Sequence, residues 1–259
     1  MGQYLIQTDP ATGLKVREGI SVVLGIDSYV IDAELIVGGF AQDEGAREGI
    51  NVGWMNLQTL PAILAANQTV LIGLRNWAKA NYDGVVTAMG TVIPECTDAT
   101  TWAALTTPAW CYYDNQASYN ATLGKLYNGY AAALIAADIA AYNAANPTTP
   151  YFWKMPVLAD WQNLSVVCGG DAVAGGLLKP QGTDYWYATY PACYNVSGFN
   201  ARGSGWRKIT TGAFDSRSVY GLWWGGDNCF AQCFGAGNNY SSGASLDSKY
   251  GLAIRMLKA

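Results

Sequence analysis

The chain has 259 residues, of which 51% are hydrophobic and 13% charged, with a net charge of −4. It contains no histidine, which removes the usual general base, the Ser-His and Cys-His nucleophile pairs and the commonest zinc ligand. It has no run of Lys or Arg to neutralise phosphates, which argues against a nucleic-acid partner, and no apolar stretch near the roughly 18 residues of a membrane span.

The N-terminus, Met-Gly-Gln-Tyr-Leu-Ile, lacks the basic-then-apolar pattern of a secretion signal and the Ser or Thr that myristoylation prefers. Residues 1–60 are acidic, with Lys15, Arg17 and Arg47 as their only basic side chains. Within them Ile20–Leu24 and Tyr29–Val37, rich in β-branched residues and closed by Gly38-Gly39, are expected to be strands. So small a β-rich piece is marginal alone and needs a partner surface. A boundary near residue 66 divides the chain into a 1–66 docking or oligomerisation segment and a 67–259 domain.

The alanine-rich run Asn120–Ala145 predicts a helix of four or five turns. Leu126, Tyr130, Leu134, Ala137 and Ala141 fall on one face, and Asn146-Pro147 ends it. Met155–Leu164 predicts a second helix, with Pro156 in its first turn, Leu158, Trp161 and Leu164 on one face, and Gly169-Gly170 as its stop. Beyond Val173, glycines and aromatics alternate without helical period, so short strands and loops are expected. Two helices followed by a loop-rich sheet make an α+β fold.

From about Ile72 to Lys258 the chain resembles the Fibrobacter succinogenes major paralogous domain family, found in Bacteroidetes-type bacteria and their phages. The resemblance is carried, in order, by Ile72-Gly-Leu-Arg-Asn-Trp-Ala-Lys-Ala-Asn81, Thr97-Asp-Ala-Thr-Thr-Trp-Ala-Ala-Leu105 and Trp110-Cys-Tyr-Tyr-Asp-Asn115. It continues through Gly124-Lys-Leu-Tyr-Asn128, Met155-Pro to Trp161, Ala174-Gly-Gly-Leu-Leu-Lys179, Ser197-Gly-Phe199, Gly205-Trp-Arg207, Gly221-Leu-Trp-Trp224 and Tyr250-Gly-Leu-Ala-Ile-Arg255. Trp153-Lys-Met-Pro156 departs from the family word in lacking its histidine. The resemblance implies a C-type lectin-like domain with two helices and a twisted antiparallel sheet, related also to sulfatase-modifying enzymes.

Those enzymes use a copper-bound cysteine pair. Here the near pair is Cys229 and Cys233, with no basic group adjoining, so the six cysteines are read as buried thiols and the chain as a non-enzyme without cofactor or metal. Calcium-dependent sugar binding is poorly served, because Asp227 and Asn228 have no Glu-Pro-Asn word to complete the ligand set, and Asp227 reads as a turn residue. What remains is a metal-free aromatic and amide surface formed by Trp223, Trp224, Asp227, Asn228, Phe230, Phe234, Gln232, Asn238, Asn239 and Tyr240, suited to sugar rings and hydroxyls. Strand alternation directs one of Trp223 and Trp224 into the core, leaving the other for ligand.

The expected role is that of a phage virion protein, a fibre, spike or capsid decoration. Its N-terminal segment contacts other virion proteins or forms a homo-oligomer, and its lectin-like domain meets host-surface glycans, with no nucleic acid and no membrane insertion. A secreted or cell-surface adhesin and a decoration protein without ligand are the alternatives.

Overall fold

A computed structural model describes residues 6–8, 15–17, 21–24 and 27–30, then 69–187, 194–235, 237 and 239–258. The chain divides into two units, Met1–Asn67 and Gln68–Ala259. In the first, β1 (Ile6–Thr8) pairs antiparallel with β2 (Lys15–Arg17), and β3 (Ser21–Leu24) with β4 (Asp27–Val30), Val22 opposite Tyr29. β3 is the expected first strand; the second begins at Asp27, and its expected continuation to Val37 lies outside the described residues. Three-residue strands such as β1 and β2 are too short to leave an alternating pattern.

Among its described residues the larger unit mixes five α-helices with several mostly antiparallel sheets, an α+β fold. One sheet runs β5 (Thr69–Ile72), β6 (Arg75–Ala78), β16 (Leu257–Lys258), β9 (Trp153–Lys154). Gly73, at φ +61°, supplies the positive dihedral that the two-residue β5–β6 loop requires. The other sheet runs β14 (Tyr240–Gly243), β13 (Phe230–Phe234), β12 (Tyr220–Trp224), β15 (Ala253–Ile254), with β15 parallel to β12. Two-stranded pieces complete it: β7 (Trp110–Cys111) with β8 (Leu126–Tyr127), and β10 (Trp206–Arg207) with β11 (Phe214–Asp215).

The two expected helices are the longest of the five. The alanine-rich run does not form one rod: α2 (Asn120–Leu123) ends at Gly124, whose φ of +72° leaves the helical region, and Leu126-Tyr127 are drawn off to pair with β7. α3 (Gly129–Ala145) then starts on Asn128, whose Oδ1 accepts from Ala131 N at 2.9 Å. Its buried stripe is Ala131, Ala132, Ile135 and Ile139, not Leu134, Ala137 and Ala141 as the spacing indicated. With alanine on every side the period is ambiguous, and the two isoleucines bury more apolar area than the alanines. α4 (Leu158–Val167) buries Trp161 and Leu164 as expected and stops before Gly169 and Gly170, both at positive φ. The short α1 (Ala99–Ala104) and α5 (Ala174–Leu178) complete the set; α5 carries two glycines, which sequence propensity counts against a helix.

The β12 sheet lies between two apolar clusters. Trp223, Ala231, Cys233, Tyr240 and Ala253 join Trp161, Leu164 and Leu178 on one side. Leu222, Trp224 and Ile254 join Ala131, Ala132, Ile135 and Ile139 of α3 on the other. A sheet covered on both faces buries successive residues alternately in two cores.

Among the described residues four cations are buried: Lys125, Lys179, Arg207 and Arg255. Arg255 is fully buried, with Nε and Nη2 donating to Asn81 Oδ1 at 3.0 and 2.7 Å and Nη1 to Ala78 O and Phe199 O at 2.9 and 2.6 Å. Its guanidinium centre lies 4.6 Å from the Phe199 ring. Burial, then the nearby Arg202 charge, pulls its pKa down to about 9, which leaves it cationic at neutral pH. Arg207, also fully buried, donates to Gly212 O, Cys96 O and Thr97 O at 2.7, 2.6 and 2.9 Å and lies between the rings of Trp102 and Phe214. Lys179 donates to Gly235 O and Gly237 O beside Trp186, and Lys125 to Asp83 O beside Trp110 and Tyr112. Gly251 packs against Arg207, where a Cβ would come within 2.8 Å of both the Arg207 Cβ and the Trp102 ring.

Asn81 Oδ1 also accepts from Trp223 Nε1 at 2.8 Å, while its Nδ2 donates to Leu123 O at 2.7 Å. Asn81→Ala therefore strands several buried groups at once. It is expected to cost at least about 3 kcal/mol, read as a lowered urea midpoint.

Candidate functional site

The structure separates the residues that the sequence groups into one surface. Trp223 and Trp224 are both fully buried, one in each apolar cluster, so the expectation that one faces solvent is corrected. Alternation does send them to opposite faces, but both faces are covered. Their indole nitrogens are engaged internally, Trp223 with Asn81 Oδ1 and Trp224 with Tyr127 O at 2.8 Å. Tyr240 is 3% exposed, donates to Trp161 O at 3.0 Å, and has its phenol pKa pushed well up by burial.

Asp227 and Asn228 are exposed in the turn between β12 and β13, which Gly225 N closes by donating to Cys229 O at 2.8 Å; Asn228 takes φ +58°. Asp227 Oδ2 accepts from Leu158 N, the first helical N–H of α4, at 3.2 Å. Asn239 is exposed at the opposite end of β13, and Asn238 lies outside the described residues, as does the side chain of Phe234. Five residues of extended strand span about 17 Å, so Asp227 and Asn239 cannot touch one small ligand together.

Between the two turns, Phe230 and Gln232 are half-buried on the α3 side of the sheet. Gln232 is flanked in register by Leu222 and Ser241. Along β12 the same face carries Tyr220, whose ring lies 5.4 Å from that of Trp206. Trp206 is brought there by Gly205, whose N donates to Tyr220 O at 2.8 Å. Trp206, Tyr220, Phe230, Gln232 and Ser241 thus form a half-buried face with aromatic planes, an amide and a hydroxyl. Such groups can stack on an apolar ring edge and exchange hydrogen bonds with hydroxyls without a metal. Trp206, Tyr220 and Ser241 were not among the residues selected from sequence. The signal that finds Tyr220 is the period of two in Tyr220-Gly-Leu-Trp-Trp224; Trp206 and Ser241 join it only through Gly205 and the strand register.

Cys111, Cys168, Cys229 and Cys233 are buried, Cys96 is half-buried, and Cys193 lies outside the described residues. Burial raises the Cys229 thiol, and its hydrogen bond to Asp227 raises it further, the reverse of an activated nucleophile. Four residues of extended chain place Cys229 and Cys233 roughly 13 Å apart along the strand. Among the described residues no three carboxylate or thiol groups cluster as metal ligands.

Burial works to raise the Asp227 pKa, but hydrogen bonds from Cys229 and Leu158 N outweigh it and the net shift is downward. The stability this contributes is present above the unfolded value of 3.8 and is lost as pH falls through the lower folded value. Asp227→Asn is expected to cost about 0.5–1 kcal/mol at neutral pH, a cap-sized effect discounted for exposure. It should also flatten the acid limb of the unfolding midpoint as pH falls below about 4. Trp224→Ala, which empties a closed core, should cost about 3–5 kcal/mol in the same measurement.

No curated protein and no solved structure matches the chain. The model of the Fibrobacter succinogenes major domain matches residues 70–258, nearly the whole larger unit. The chain belongs to the Fibrobacter succinogenes major domain family.

Proposed function

We propose that residues 68–259 are a non-catalytic recognition domain of C-type lectin-like architecture, displayed on a phage virion, that binds a glycan through Trp206, Tyr220, Phe230, Gln232 and Ser241. The observation that carries this reading is the half-buried aromatic and amide face beside a sheet whose Trp223, Trp224 and Tyr240 are closed into the core. A rigid strand holds each of these side chains in place, so little ordering cost attends binding.

The non-catalytic part is supported by the chemistry of the reactive groups. The chain has no histidine, its buried cations are held by backbone carbonyls, and burial raises the thiols of Cys111, Cys168 and Cys229. The virion part is supported by the family, which occurs in phages, and by the acidic N-terminal unit. Its described strands form two-stranded ribbons, β1–β2 and β3–β4, and a two-stranded ribbon is marginal alone; in this reading a second copy or another virion protein adds to the surface that steadies the unit.

One observation favours a second reading, a decoration protein without ligand: Trp223, Trp224 and Tyr240, the aromatics most suited to a sugar, are occupied by packing.

A glycan array and binding to host-type cells, both with the full chain, separate the two. Under the first reading Gln232→Ala and Tyr220→Ala each weaken binding at least about tenfold, while the far-UV spectrum and melting temperature stay close to those of the parent. Binding by neither the array nor the cells supports pure decoration, and absence of the chain from purified particles overturns the virion assignment.

A further inference from the structure

Cys96 and Cys111 meet across two parallel stretches of chain. Trp110 N donates to Pro94 O at 3.0 Å and Cys96 N to Trp110 O at 2.9 Å, which sets Trp110 opposite Glu95. One step along that register Cys111 lies opposite Cys96, and neighbours paired in this way project to the same side. Adjacent strands lie about 4.8 Å apart, within the roughly 4.4–6.8 Å between Cα atoms that a disulfide bridges.

A second observation comes from Arg207. Its guanidinium donates to Cys96 O and Thr97 O, and its charge opposes the rise that burial gives the Cys111 thiol. That fork holds the Cys96 segment in place, and Cys96 packs against the apolar cluster that contains Cys111. Their exposure is unequal: Cys111 is closed in the core, whereas Cys96 is half-buried, its thiol donating to Asp98 O at 3.7 Å. That pairing provides one thiol that a small reagent can reach and a second waiting behind it.

We propose that Cys96 and Cys111 are a latent disulfide, formed when the protein meets a small-molecule disulfide such as oxidised glutathione. The Cys96 thiolate attacks one glutathione sulfur, making a mixed disulfide and releasing a glutathione thiolate. Cys111 then loses its proton to solvent and attacks Cys96 Sγ, forming the Cys96–Cys111 bond and expelling the second glutathione thiolate. The two protein thiols give up two electrons in all, and one oxidised glutathione becomes two reduced ones. Burial raises both thiols, Cys111 to about 12 against the opposing pull of Arg207, so the second step is slow at neutral pH and accelerates as pH rises. The bond closes the 96–111 segment, with α1 inside it, and so removes freedom from the unfolded chain.

Tryptic peptide 80–125 contains these two cysteines and no other. The full chain is incubated with oxidised glutathione at about pH 8, its remaining thiols are alkylated after denaturation, and the digest is weighed. The expected peptide is unalkylated, free of glutathione and lighter by two hydrogen atoms than its reduced form. The oxidised chain should melt roughly 5–10 °C higher than the reduced one. Cys96→Ser, at the half-exposed position, should keep the parent's reduced melting temperature and show no such rise. Glutathione retained on Cys96 with Cys111 still open to alkylation would overturn the proposal. So would peptide 80–125 joined to another peptide, or left fully alkylated.

Discussion

A guanidinium without a carboxylate stands at the centre of this domain. Removing Arg255 from water carries a large desolvation cost, and it is offset here by the Asn81 amide oxygen, backbone carbonyls and the face of Phe199. The carbonyls come from residues 78, 199 and 200, so one side chain fixes the end of β6 against a loop more than a hundred positions away. Arg207, Lys179 and Lys125 repeat the device with other loops. Backbone carbonyls in irregular segments lack ladder partners, and a buried cation gathers several of them at once. A fold with so many two-residue strands can remain ordered by this means where hydrogen-bonded sheet alone would not suffice.

This way of building explains why the aromatic load does not translate into a wide binding surface. Each cation needs rings around it: Trp102 and Phe214 for Arg207, Trp186 for Lys179, Trp110 and Tyr112 for Lys125. The β12 sheet, covered by α4 on one side and α3 on the other, takes in Trp223 and Trp224 as well. What is left half-open is the stretch of sheet around Tyr220, Gln232 and Ser241.

The two long helices could be read from the sequence, because propensity, the Asn146-Pro147 stop and the Gly169-Gly170 stop act locally. The start of α3 could not, since the competition between helix and strand at Leu126-Tyr127 is decided by a partner at Trp110-Cys111. Strand period separated Trp223 from Trp224, but not that both sides of the sheet are covered, which depends on where two remote helices pack. Gln232 and Phe230 were within reach of composition; Trp206 and Ser241 become neighbours only through Gly205 and the β13–β14 register. The sequence words ending in Lys179, Arg207 and Arg255 stood out by their order, and their shared physical role, a cation gathering carbonyls, is visible only in three dimensions.

The pairing of β6 with β16 has a consequence for how the domain comes into being. Trp77 and Leu257 are direct neighbours, and Asn81 awaits the guanidinium of residue 255. As residues emerge in order during synthesis, the early hairpin of β5 and β6 has its next strand only after nearly the entire domain has been made. Until then Asn81, Trp77 and the carbonyl of residue 78 lie open to water and to other chains, and closure is a long-range event of the slow kind. The last six residues of the 253–258 segment therefore act as a latch: the domain passes from an incomplete collapse to its native core in one late step.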